Sequence, residues 1–166
     1  MRAFVTTITF AGVLLLGGCA SLFGPPPVPG DTVEDVVDKL GPPRGVYPDP
    51  DAGQVFAYPQ GPYGQTTYMA RFGRNNLLQS YEQVLTNERF ATIKVDRATK
   101  DDVLRTIGPP TERSYLPLRD YEVWSYRYKE SGVWNAMIHV HFDRDGVVRM
   151  MMNGPDPMYE NRKFFR

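Results

Sequence analysis

The side chains able to do chemistry in this sequence are few, and their spacing narrows what that chemistry could be. There is one cysteine, Cys19, and there are two histidines, His139 and His141. A thiolate is a nucleophile and an acyl acceptor, but Cys19 closes an amino-terminal apolar run, far in sequence from either histidine. His139, His141 and Asp143 are spaced by two, which on a β-strand puts all three on one face. That is an acceptable spacing for metal ligands. A solvated polar face opposite a core produces the same alternation, and the further ligands a metal needs are not identifiable, so no metal or other cofactor is expected. Met150, Met151 and Met152, with Met137 and Met158, offer soft thioethers or an adaptable contact surface. A strand with alternate residues buried is the favoured account of the run. Gly61-Pro62-Tyr63-Gly64 reads as a turn, not a phosphate cradle, since proline supplies no backbone N–H. No nucleophile, base and orienting group assemble from these residues, so an enzyme is not expected and neither is a small-molecule substrate.

The thiol has a different use. Met1-Arg2 gives a minimal positive start, and an apolar stretch then runs through Leu14-Leu15-Leu16 to Gly17-Gly18-Cys19. The stretch is short and rich in Thr and Gly for a membrane-spanning helix, and fits an export signal. Leu16-Gly17-Gly18-Cys19 resembles the lipobox of bacterial lipoprotein signals, which implies cleavage between Gly18 and Cys19 and acylation of Cys19. Two or three acyl chains, at ~0.8 kcal/mol per buried methylene, would make the attachment effectively permanent. Ala20 follows where an aspartate is associated with inner-membrane retention, so the resemblance implies the outer membrane, facing the periplasm. Residues 1–18 are therefore read as signal peptide. Residues 19–30, with Pro25-Pro26-Pro27 and Pro29, are read as a semi-rigid tether, and the fold is expected to begin near Asp31.

Composition sets the broad class. With 42% hydrophobic and 23% charged residues the chain is an ordinary globular sequence. Lys plus Arg equals Asp plus Glu at 19 each, and no basic run stands out, so nucleic acid is not an expected partner. Glycine and proline at 15 each, with 10 tyrosines, favour short strands and many turns.

The elements come in two copies. Thr32-Val33-Glu34-Asp35-Val36-Val37-Asp38-Lys39-Leu40-Gly41-Pro42-Pro43 matches Thr99-Lys100-Asp101-Asp102-Val103-Leu104-Arg105-Thr106-Ile107-Gly108-Pro109-Pro110. In each copy a threonine N-cap is followed by first-turn acids that favour the positive end of the helix dipole. Val36, Val37 and Leu40, like Val103, Leu104 and Ile107, form an apolar stripe, and Gly41 and Gly108 stop the helix before Pro-Pro. Aromatic strands follow at 55–58 and 123–128, then at 67–72 and 137–142, with hairpin turns at 73–76 and 143–146 and final strands from Leu77 and Val147. Tyr47, Tyr63, Tyr115 and Tyr121 are read as loop residues. A further short helix over 85–93, which Asn87 could cap, would give the second copy two helices. The expected fold is α+β, two tandem small units, each of one or two short helices on a three- to four-stranded antiparallel sheet. The first unit spans 31–84 and the second 85–152, with a tail over 153–166 read as flexible, docking onto the sheet being the alternative. In the second copy Trp134, Ala136, Ile138, Val140 and Phe142 should lie under the helix, with Met137, His139 and His141 facing outward. Thr67, Met69 and Arg71 are the matching outward set in the first.

The string Leu85-Thr86, Phe90-x-x-Ile93, Thr99-x-x-Asp102-Val103, Ile107-Gly108-Pro109-Pro110, Trp124-x-Tyr126 and Phe142-Asp143-x-Asp145-Gly146-Val147-Val148 resembles the SmpA/OmlA (BamE-like) family of outer-membrane lipoproteins. The resemblance covers 85–152 well and 31–81 more weakly. The tandem arrangement resembles the β-lactamase-inhibitor-protein architecture. It implies a non-catalytic, protein-binding module at the outer membrane that supports β-barrel assembly or envelope integrity and holds another envelope protein. The alternative is a periplasmic inhibitor or sensor that captures an enzyme or cell-wall ligand on a concave sheet surface. The contact face expected is the side of the sheets opposite the helices, with Arg71, Arg127, Met137, His139 and His141.

Overall fold

The computed structural model describes residues 25–160 apart from Ala52 and Pro62. The signal peptide with Gly18, the first half of the tether (19–24, including Cys19) and residues 161–166 lie outside the described residues. Each repeat begins with an eight-residue helix, α1 (Val33–Leu40) and α3 (Lys100–Ile107), and both open on complete capping boxes. Thr32 Oγ1 accepts from the Asp35 N–H at 3.1 Å while the Thr32 N–H donates to Asp35 Oδ2 at 2.9 Å. Thr99 and Asp102 repeat the exchange at 3.3 and 2.8 Å. Two otherwise orphaned N–H donors are thereby satisfied at each helix start. Both helices end on a glycine at φ 79°, Gly41 and Gly108, whose N–H closes on Val37 and Leu104. Between the repeats, α2 (Asn87–Thr92) is capped by the Thr86 hydroxyl, one residue ahead of the expected Asn87.

The strands form two antiparallel meanders. The first sheet runs β1 (Gly45–Asp49), β2 (Gly53–Pro59), β3 (Thr67–Phe72), β4 (Leu78–Gln83); the second runs β5 (Glu112–Leu116), β6 (Tyr121–Glu130), β7 (Trp134–Phe142), β8 (Val148–Pro155). The α+β class with two tandem units is as expected. Tyr47 and Tyr115 belong to the edge strands β1 and β5, not to loops, and Tyr121 opens β6. Pro48 is tolerated in β1 because an edge strand leaves one side of its backbone unpaired.

The repeat holds at fine detail. Register breaks fall at Arg71/Phe72 and at His141/Phe142. Isolated bridges join Thr32 to Leu77 and Thr99 to Val147. Phe56 meets Phe72 at 4.9 Å and 59°, and Trp124 meets Phe142 at 4.7 Å and 59°.

Packing is where the two copies diverge. Val36, Phe56, Ala70, Phe72 and Leu78 make one core under α1. Val55, Ala57 and Met69, from the opposite face of the same sheet, join a second core with Phe90, Val103, Ile107, Trp124, Tyr126 and Val140. The layers are therefore α1, first sheet, α2 with α3, second sheet. Gly108 lies at the junction, where an added Cβ would sit 3.1 Å from Thr67 Cγ2 and 3.4 Å from Met69 Sδ. The Tyr126 hydroxyl donates to the Gly108 carbonyl at 3.2 Å.

Three expectations are corrected here. Thr67, Met69 and Arg71 do not face outward, because the second unit covers that side of the sheet; Thr67 and Met69 are buried. The tether does not run free to Asp31. Pro27 is buried and the Gly30 N–H donates to the Leu78 carbonyl at 2.8 Å, as Asp96 does to Val148 in the second unit. An extended segment beside β4 has backbone donors to satisfy, and β4 supplies the acceptors. Nor is the start of the tail flexible. The strand β8 continues to Pro155, Asp156 is 1% exposed and ion-paired with Arg127, and a single turn, α4 (Pro157–Glu160), follows.

Candidate functional site

The outward-facing set of the second sheet comes from three adjacent strands held in register. Ser125 of β6, His139 of β7 and Met152 of β8 are paired across the sheet, with Glu112 of β5 beyond Ser125. The next row is Ser114, Val123, His141 and Met150. Arg127 stands opposite Met137 in the row on the other side. Four of the five expected contact residues, Arg127, Met137, His139 and His141, therefore share one face, and Arg71 does not.

Arg71 has another role. Its guanidinium donates to the Arg105 carbonyl at 2.9 Å and lies 3.7 Å from Glu82 and 3.9 Å from Asp49. Glu82 also pairs with Arg89 of α2. The hydrogen bond from Arg89, aided by both guanidiniums, holds the Glu82 carboxyl below the usual range. Burial pulls the Arg71 guanidinium below its ordinary value. These charges join β1, β3 and β4 to α2 and α3, so Arg71 fastens the units together and is removed from the contact face.

Sequence position made the remaining four residues equivalent; their surroundings do not. Arg127 is held by Asp156, with side chains 11% and 0% exposed. Met137 is buried. His141 is 8% exposed, its Nδ1 is buried without a hydrogen-bond partner, and its ring meets Tyr121 edge-on at 6.4 Å. Burial, with smaller contributions from His139 and Arg119, pulls the His141 imidazole below its ordinary 6.5. His139 is only partly buried, and its Nδ1 lies 2.7 Å from Ser125 Oγ. The accessible part of the face narrows to His139 and Met152, rimmed by Glu112 and Ser114. Arg127, Met137 and His141 form its floor and margin, because neighbouring side chains in a four-stranded sheet shield the two central strands.

The Ser125–His139 distance suits a nucleophile and base. Ser125 is 2% exposed, however, and among the described residues no carboxylate is hydrogen-bonded to His139 to orient it. The pair reads as a satisfied polar contact. Among the described residues no group of three or more His, Cys, Asp or Glu is arranged to hold a metal ion.

The fold defines a class: a tandem α+β protein of two four-stranded antiparallel sheets. No family model matches the chain, and no curated protein matches it. Among solved structures it is similar to a DUF4309 family protein (YjgB) from Bacillus subtilis, at 18% identity and a TM-score of 0.27, over 74% of this chain and 76% of that one.

Proposed function

We propose that this chain is a lipid-anchored, non-catalytic binding protein of the bacterial outer membrane, which holds another envelope protein on the outer face of its second sheet. One observation carries the binding reading. The equivalent face of the first sheet, with Val55, Ala57, Thr67, Met69 and Arg71, is where α3 and the second unit pack. On the second sheet the same positions are Val123, Ser125, Met137, His139 and His141, and among the described residues no helix covers them as α3 covers the first. The fold thus uses this surface once to dock a helix inside the chain and presents it a second time without one.

The exchanges between the copies support a reversible partner. Ala57 becomes Ser125 and Met69 becomes His139; Ser125 is itself buried against His139, so His139, with Met152, is the part of this copy that stands in water between encounters. The anchor rests on the resemblance of Leu16-Gly17-Gly18-Cys19 to a lipobox, and the role in barrel assembly or envelope integrity on the SmpA/OmlA resemblance. No helix of the described residues is long and apolar enough to cross a membrane.

A photo-reactive amino acid placed at His139 or Met152 in intact envelopes tests the face. The expected result is a discrete adduct with a barrel-assembly component, absent when the probe sits at exposed Glu34 on α1. Adducts of equal yield from both sites would remove the sheet face. A single adduct with an envelope enzyme would replace assembly with inhibition. His139→Ala is the variant of choice, because the buried His141 contributes to packing as well.

A further inference from the structure

The hairpin of β6 and β7 turns at Ser131 and Gly132 and places Trp134 at the start of β7. On the helix-covered side Phe90 of α2 meets Tyr128 edge-on at 4.9 Å. Trp134 is in phase with the buried Ala136, Ile138 and Val140, yet its surface is 68% exposed. The turn does not demand this, since Ser131 and Gly132 make it with positive φ of 51° and 74°. A large apolar side chain left in water forgoes the gain of burial, so an exposed indole at a strand start is an informative feature.

A groove of about 790 Å³ opens beside it, lined by Glu130, Trp134, Ala136, Asn153, Pro155 and Tyr159 among others. That lies within the roughly 300–1,000 Å³ usual for small-molecule sites. Its polar equipment is prearranged. The Asn153 side-chain amide of β8 donates to the Glu130 carboxylate of β6 at 3.0 Å across β7. This fixes a carboxylate and an amide side by side near the exposed indole face. Among the described residues Glu130, Asp156 and Glu160 line the groove and no lysine, arginine or histidine does, which disfavours an anionic ligand.

We propose that this groove binds a neutral oligosaccharide, with a sugar ring stacked on Trp134 and vicinal hydroxyls paired to the Glu130–Asn153 couple. Sugar rings present apolar C–H faces that suit an indole, and their hydroxyls both donate and accept, which matches a carboxylate next to an amide. Neither His139 nor Met152 lines the groove, which meets the protein-binding face only where Asp156 holds Arg127.

The chain has two tryptophans, and Trp124 is 2% exposed, so a ligand-induced change in indole fluorescence reports Trp134. The detergent-solubilised full chain is titrated with chitotetraose, with maltotetraose and with tetralysine. A saturable change with either saccharide, indifferent to high salt, is the expected result. Trp134→Ala should abolish binding, read then by calorimetry, and Asn153→Ala should weaken it about tenfold. His139→Ala should leave it unchanged. No saturable change with either saccharide overturns the proposal. A salt-sensitive change with tetralysine alone also overturns it, in favour of a cation held by the acids and the ring. Both variants alter exposed side chains, and circular dichroism checks that they fold.

Discussion

Replacing Gly108 by alanine, with Gly41→Ala as its internal control, isolates the packing between the two units. Both glycines end a helix at φ 79°, with ψ of −167° at Gly108 and −175° at Gly41. The backbone penalty of a side chain there is shared, about 1–3 kcal/mol for a region almost restricted to glycine. The surroundings differ. At Gly41 an added Cβ meets nothing within 4 Å; at Gly108 it meets Thr67 Cγ2 at 3.1 Å, Met69 Sδ at 3.4 Å and Ala57 Cβ at 3.5 Å. Only the first is tighter than ordinary contact, so overpacking should add about 1–2 kcal/mol, the lower part of its usual range. The Tyr126–Gly108 hydrogen bond would be disturbed as well. Denaturant unfolding of the two variants and the parent, followed by circular dichroism and fluorescence, gives the difference directly. Gly108→Ala should be the less stable variant by about 1–2 kcal/mol. Equal losses in the two variants would refute the stacking of the first sheet on the second unit's helices.

Three further outcomes follow from the same geometry. Asp156→Asn strands the nearly buried Arg127 guanidinium and should cost about 3 kcal/mol, whereas Arg127→Met with Asp156→Leu should recover most of it; thermal unfolding of the three proteins distinguishes them. Because folding lowers the His141 value below 6.5, the unfolded chain holds the extra proton between the folded value and 6.5. Stability should therefore fall as pH drops through about 6.5 and level off once the folded imidazole is protonated; His141→Gln should flatten that part of the unfolding free-energy profile. Cys19→Ser should release the protein from the membrane fraction, with loss of the acyl mass in intact-protein mass spectrometry; retention in the membrane would refute the anchor.

The local rules were legible in the chain itself. Thr32 and Thr99 with their acids three residues on, and Gly41 and Gly108 before Pro-Pro, mark both helices, because caps and stops are made by neighbours in sequence. The hairpin turns at 73–76 and 143–146 were legible for the same reason, and alternation sorted β7 into two faces. Alternation also placed Met137, His139 and His141 together, since a strand in register leaves no other arrangement. The short edge strands β1 and β5 escaped notice because one contains Pro48 and the other, at Glu112–Tyr115, is exposed throughout, so neither carries a clear alternating signal.

Which face meets water was decided only by tertiary structure. Thr67, Met69 and Arg71 have the same phase as Met137, His139 and His141, but a second unit packs on the first set, whereas in the second set Met137 and His141 are buried within their own unit and His139 stays partly accessible. Alternation records that a strand has two sides, not what packs on either. Trp134 makes the same point in reverse: its phase says buried, and the fold leaves it 68% exposed. Asp156, an ordinary acid in a turn-rich tail, becomes a buried partner because β8 delivers it to Arg127, 29 residues away in sequence. Local sequence specifies elements through short-range hydrogen bonds and steric stops, whereas burial and pairing depend on contacts between distant segments that only the folded chain brings together.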